Sequence, residues 1–133
     1  MRVTSLDHVN IVTDDLAGTA KFYADLLDLD ARDGPPPSTR DNVVWMYDEA
    51  GRAILHLNRA GSFAPLERRP KPGPDTNAVH HVALRCDGHA EMIERLKARG
   101  LRHAMNDVGS INLKQIFVVD PNGVLLELNF FGG

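Results

Sequence analysis

A chain of 133 residues fits one compact domain, or two small modules sharing a core, and does not fit two independent domains. With 43% hydrophobic and 25% charged residues it can bury a core, which excludes the disordered class. The formal net charge is -3, with Lys and Arg at 15 against Asp and Glu at 18, and no basic stripe interleaved with aromatics, so nucleic acid is excluded as a partner.

The opening residues, Met1 to Val9, read as a strand rather than a signal peptide, and every apolar run is far short of a membrane span. The expectation is a cytoplasmic protein with no membrane partner. An acidic residue then precedes a helix over about Leu16 to Leu27, where Leu16, Ala20, Tyr23 and Leu27 fall at helical spacing. Asp33 to Asp41, with Pro35, Pro36 and Pro37, is a loop, and strands are expected over Asn42 to Tyr47 and Arg52 to Asn58, around a turn at Asp48-Glu49-Ala50-Gly51. Arg59 to Ala78 contains Pro65, Pro70, Pro72 and Pro74 and reads as a linker with Arg68, Arg69 and Lys71 solvated. A second helix is expected over about His89 to Arg99, with Ile93 and Leu96 inward and Gly100 as its stop. Strands over Ile111 to Val119 and Val124 to Phe131 flank the turn Asp120-Pro121-Asn122-Gly123. The single cysteine, Cys86, excludes an internal disulfide and reads as a buried, inert thiol in a reducing compartment.

The chain is written twice. Leu6-Asp7-His8-Val9-Asn10-Ile11 aligns with Val79-His80-His81-Val82-Ala83-Leu84 at an offset of 73 residues, which also places Asp14 on Asp87. The segment from Asp48 to Asn58 matches that from Asp120 to Asn129 once one residue is skipped. The expected organisation is one module over about 1–60, a linker over about 61–77 and a second module over about 78–133.

Alternation along a strand puts His8 with Asn10 and opposite Val9 and Ile11, and His56 with Asn58 and opposite Leu55 and Leu57. By the same parity Glu127 goes with Asn129 against Leu126 and Leu128, and His81 opposes Val82 and Leu84, while His80 points away from His81. Each polar residue alone is ordinary on the wet side of a half-covered sheet. Three imidazoles and a carboxylate at repeat-equivalent positions are harder to assign to solvation, because a charge such as Glu127 in an apolar run is costly unless paired or metal-bound. His89 and His103, at helix ends, read as surface residues, and Trp45 and Phe117 as core aromatics or lining.

The strand "DHVNIV", the helix ending "FYADLLDL" and the closing "DPNGVLLELN" resemble the vicinal oxygen chelate superfamily of glyoxalases, bleomycin-resistance proteins and dioxygenases. The resemblance spans nearly the whole chain and implies an α+β fold of tandem βαβββ modules forming a curved, cup-shaped mixed sheet with helices outside. It also implies one divalent metal ion (Fe, Mn, Ni, Co or Zn) held by His8, His56, His81 and Glu127. His56 occupies a position usually filled by Glu or Gln, so it is either a ligand or an acid-base group beside the metal. Asn10, Asn58 and Asn129 are candidates for substrate binding, and His56 and Glu127 for catalysis.

The implied activity is that of a glyoxalase-like isomerase or lyase acting on a small substrate with adjacent oxygens, which an ion of this kind polarises as a Lewis acid. A ring-cleaving Fe(II) extradiol dioxygenase is an alternative. Against it, Ile116 and Phe117 stand where those enzymes carry His and Tyr. A drug- or metabolite-binding protein without catalysis is a third reading. Arg40, Arg85 and Lys114 are available for a glutathione carboxylate but nothing marks them as a clamp, and no potassium loop of the fosfomycin type is identified. Relatives that assemble across a two-fold axis imply a homodimer.

Overall fold

The computed structural model describes residues 1–61, 73, 76 and 79–132. Most of the expected linker, with Arg68, Arg69 and Lys71, lies outside the described residues. The chain divides into two compact units, Met1–Pro72 and Gly73–Gly133. Among the described residues each is an α+β unit with a four-stranded mixed sheet and one α-helix.

In the first unit β1 (Val9–Thr13), α1 (Leu16–Leu27), β2 (Asp30–Asp33), β3 (Val43–Tyr47) and β4 (Ala53–Arg59) form a sheet of order β1-β4-β3-β2. Strands β1 and β4 run parallel and the other pairs antiparallel. Asp15 starts α1, its Oδ1 accepting the Gly18 N–H at 2.9 Å, which satisfies one donor that the first helical turn leaves open. Leu16, Thr19, Ala20, Tyr23 and Leu26 form the buried stripe of α1, which packs on β2, β3 and β4. It meets Ile11, Val44, Met46, Leu55 and Leu57, all buried, and the hydroxyls of Thr13 and Thr19 bond at 3.0 Å within this core.

The second unit repeats the plan with β5 (Val82–Arg85), α2 (His89–Ala98), β6 (His103–Val108), a single 3-10 turn (Gly109–Ile111), β7 (Leu113–Val119) and β8 (Leu125–Phe131). The sheet order is β5-β8-β7-β6, again with one parallel pair, β5 with β8. Its core holds Met92, Leu96, Ile116, Val118, Leu126, Leu128 and Phe130. The helix begins at Gly88 without a side-chain cap, so the acidic cap of α1 is not repeated.

The repeated turns are built alike. Gly51 and Gly123 sit at φ +78° and +83°, a region that favours glycine, and donate to the carbonyls of Asp48 and Asp120 at 3.0 and 3.1 Å. The Asp120 side chain accepts the backbone N–H groups of Asn122 and Val124, both at 2.8 Å.

Several expectations are corrected. The first strand begins only at Val9, so Met1 to His8 lie outside it. Asp30–Asp33 and His103–Val108 supply the third strand after each helix that a βαβββ module implies but that was not located in the sequence, and Gly109–Ile111 is a helical turn rather than the start of β7. On α2 it is Met92, not Ile93, that joins Leu96 in the core.

Candidate metal centre

In both units the candidate residues lie on the sheet face away from the helix. In the first unit Leu55 and Leu57 are buried toward α1, while His56 between them turns outward to the level of Asn10 on β1 and Trp45 on β3. Parity delivers that result because each strand has one apolar and one polar side. Three rings stack there. Trp45 lies on His56 at 3.8 Å and 7°, and His56 on His8 at 3.6 Å and 12°. His8 is held through Nδ1 by Asp7 Oδ1 at 2.7 Å, which leaves Nε2 for another partner.

Imidazole lone pairs lie in the ring plane. With the planes of His8 and His56 nearly parallel and about 3.6 Å apart, one ion cannot lie in both. The pair as it stands therefore offers one metal-facing imidazole. Asn58 is buried and donates to Asn10 Oδ1 at 3.0 Å, so these two amides are engaged with each other.

In the second unit the outward face carries His81, Glu127, Asn129, Gln115 and Asn106. His81 Nε2 lies 3.6 Å from Glu127 Oε1. That gap is long for a hydrogen bond and close to the edge between two ligands that each sit roughly 2.1 Å from one ion. Both groups have their other atoms occupied. Glu127 Oε2 accepts from Asn129 Nδ2 at 2.9 Å, and His81 Nδ1 meets His80 Nδ1 at 3.0 Å. His80 does not point away from His81 as expected, because both precede the first residue of β5 and strand parity does not apply to them. The donor chemistry, imidazole nitrogen with carboxylate oxygen, fits a first-row divalent ion. Among the described residues no group of three or more His, Cys, Asp or Glu side chains forms a metal cluster, and the donors come as the pair of each unit.

Other residues stand apart from this face. His89 is half-buried with its ring edge on Phe130 at 5.2 Å, not on the surface as expected, and His103 binds the Leu101 carbonyl through Nδ1 at 2.9 Å. Burial, and then the neighbouring Asp87 charge, push the Cys86 thiol up to about 11, so it is protonated and inert at neutral pH. A groove of about 820 Å³ in the first unit, lined by Asp14, Ala20, Ala24, Arg40, Val44 and Arg59 among others, lies on the helix side and none of His8, His56, Asn10 or Asn58 lines it.

Gln115 and Asn106 were not singled out from sequence. The signal was the register, in which Gln115 faces Asn129 and Asn106 faces Gln115, and it becomes legible only when the strand pairing is known. Trp45 stacks on the candidate histidine rather than filling the core.

The chain belongs to the glyoxalase/bleomycin resistance protein/dioxygenase superfamily, whose family model matches residues 5–128. Among solved structures it is similar to a glyoxalase/dioxygenase from Nostoc punctiforme, at 17% identity and a TM-score of 0.73 over 97% of this chain and 92% of that one. It is also similar to a lactoylglutathione lyase from Agrobacterium tumefaciens, at 20% identity and a TM-score of 0.66 over 98% and 96%. The fosfomycin resistance protein FosX of Listeria monocytogenes is a third such structure, at 16% identity and a TM-score of 0.67 over 98% and 96%. These likenesses establish the fold. No curated protein matches the sequence. Among the described residues no helix is long and apolar enough to cross a membrane.

Proposed function

We propose that the chain is a divalent-metal-dependent enzyme of glyoxalase type, an isomerase or lyase acting on a small substrate with adjacent oxygens. Its metal ligands in the second unit are His81 and Glu127, the candidate ligand in the first unit is His8, and the observation that carries this reading is the 3.6 Å approach of His81 Nε2 to Glu127 Oε1 with Glu127 Oε2 and His81 Nδ1 already engaged. An ion bound by such donors stabilises negative charge developing on substrate oxygens. His56 is assigned the proton-transfer role rather than a ligand role, since its stacking on His8 turns its lone pair out of a common plane. Trp45 fixes that ring from its other face, and Asn10, held by the buried Asn58, lines the same side of the sheet for substrate.

Metal analysis of protein purified without chelator tests this. His8→Ala, His81→Ala and Glu127→Ala are expected to lose most of the bound metal, whereas His56→Ala keeps it. Unchanged metal in the first three variants overturns the ligand assignment. Assays of isomerase and lyase turnover beside Fe(II)-dependent oxygen uptake with catechols separate the glyoxalase reading from ring cleavage. Among the described residues each sheet ends in edge strands that another chain could pair with, and we propose a homodimer, which a monomeric mass by light scattering at micromolar concentration would refute.

A further inference from the structure

On the second sheet the bond from Asn129 to Glu127 continues into two amides, Gln115 and Asn106, that have no role in the reading above. Asn129 on β8, Gln115 on β7 and Asn106 on β6 are direct cross-strand neighbours, and they are linked in series. Asn106 Nδ2 donates to Gln115 Oε1 at 2.8 Å, Gln115 Nε2 donates to Asn129 Oδ1 at 3.2 Å, and Asn129 Nδ2 donates to Glu127 Oε2 at 2.9 Å. The direction of every link is forced by chemistry. An ionised carboxylate only accepts, so Asn129 must turn its NH₂ toward Glu127 and its carbonyl toward Gln115, and the same choice passes to Gln115 and Asn106. Donors aligned toward an anion reinforce one another, and the last bond is charge-assisted.

We infer that Asn106, Gln115 and Asn129 are positioning residues that lock the Glu127 carboxylate in one rotamer, with Oε2 held by Asn129 and Oε1 turned toward His81. The relay is not a by-product of the duplicated fold. In the first unit the residue opposite Asn58 is Val43, which has no amide, and the position equivalent to Glu127 is His56. The consequence for metal binding rests on the proposed ligand role of Glu127, whereas the locking of the carboxylate does not.

The experiment therefore has two arms, both on the full chain. In metal-free protein, the side-chain amide NMR signals of Asn129 and Gln115 are expected to move on Glu127→Gln, and that of Asn129 to move on Gln115→Leu and on Asn106→Ala. Asn106 is exposed, so its substitution is expected to leave the fold intact. In calorimetric titration with Zn²⁺, Asn129→Leu is expected to weaken binding roughly 10–100-fold. Asn106→Ala should cause a smaller loss in the same direction, and Asn106→Gln, which restores a donor, should recover it. Asn129 signals unmoved by both Glu127→Gln and Gln115→Leu overturn the relay, as does Zn²⁺ affinity unchanged in Asn129→Leu. Wild-type protein that takes up no divalent ion while the amide signals respond as expected overturns the metal reading and upholds the relay.

Discussion

Asp120 and Asp48 begin the same turn in the two units, and removing their carboxylates is expected to have unequal consequences. Asp120 is 4% exposed, and its Oδ1 accepts two backbone N–H groups at 2.8 Å. Bonds of this kind to a charged acceptor contribute about 1.5–3 kcal/mol each. Because Pro121, Asn122 and Gly123 are exposed, water can partly replace the lost acceptor, so Asp120→Ala is placed at the lower end, a loss of about 3 kcal/mol. At an unfolding entropy of about 2.1 cal/mol/K per residue, that lowers the midpoint of the 133-residue chain by roughly 10 °C. Asp48 accepts the Arg52 backbone N–H at 2.9 Å, with a smaller contribution from that of Ala50, and pairs with a guanidinium that is 75% exposed, so Asp48→Ala should cost about 1 kcal/mol. Thermal scans followed by circular dichroism, with urea titrations for the free energies, compare the two variants directly. If Asp120→Ala costs no more than Asp48→Ala, the reasoning from burial and bond count is refuted. The outcome also bears on the candidate site, since β8 begins five residues beyond Asp120 and carries Glu127.

Three further outcomes are expected. The Arg52 backbone N–H, assisted by the Arg52 side chain, holds the Asp48 carboxyl below its ordinary value of 3.8. Its stabilisation is thus fully present above that value and lost as pH falls through the lower folded-state value, so the stability gap between wild type and Asp48→Asn should close in urea titrations below about pH 3.8. With its thiol pushed up to about 11, Cys86 should react with iodoacetamide at pH 8 roughly 100-fold more slowly in the native protein than in urea; equal rates would contradict the burial assigned to it. Leu57→Ala, at a site that is 0% exposed beneath α1, should lower the unfolding free energy by about 3 kcal/mol in urea, and a loss below about 1 kcal/mol would show that the core there collapses around the gap.

The elements that announced themselves in the sequence are those with a buried side. Leu16, Ala20 and Tyr23 at helical spacing and the Leu55-His56-Leu57 and Leu126-Glu127-Leu128 alternations are periodic because one face of each element is covered. Strands β2 and β6 escaped notice for the complementary reason. The sequence Asp30-Ala31-Arg32-Asp33 lies at a sheet edge with most residues exposed, as does His103–Val108, so neither carries an apolar alternation to read. The parity rule located His56 and Glu127 on the faces away from the helices, but it does not apply to His8 and His81, which precede the first residues of β1 and β5. It could not foresee that His56 would lie flat between Trp45 and His8, since ring stacking depends on side-chain torsions and on which strands become neighbours. Gln115 and Asn106 look like ordinary surface amides until their partners are known.

Trp45 is the single tryptophan of the chain and rests on His56 at 3.8 Å. A protonated imidazole in van der Waals contact with an excited indole accepts an electron from it and quenches its emission, while a neutral one does so far less. Intrinsic fluorescence is thus a built-in optical reporter of one ring, readable in dilute solution without labels, and any occupant that moves or neutralises that ring will announce itself as light.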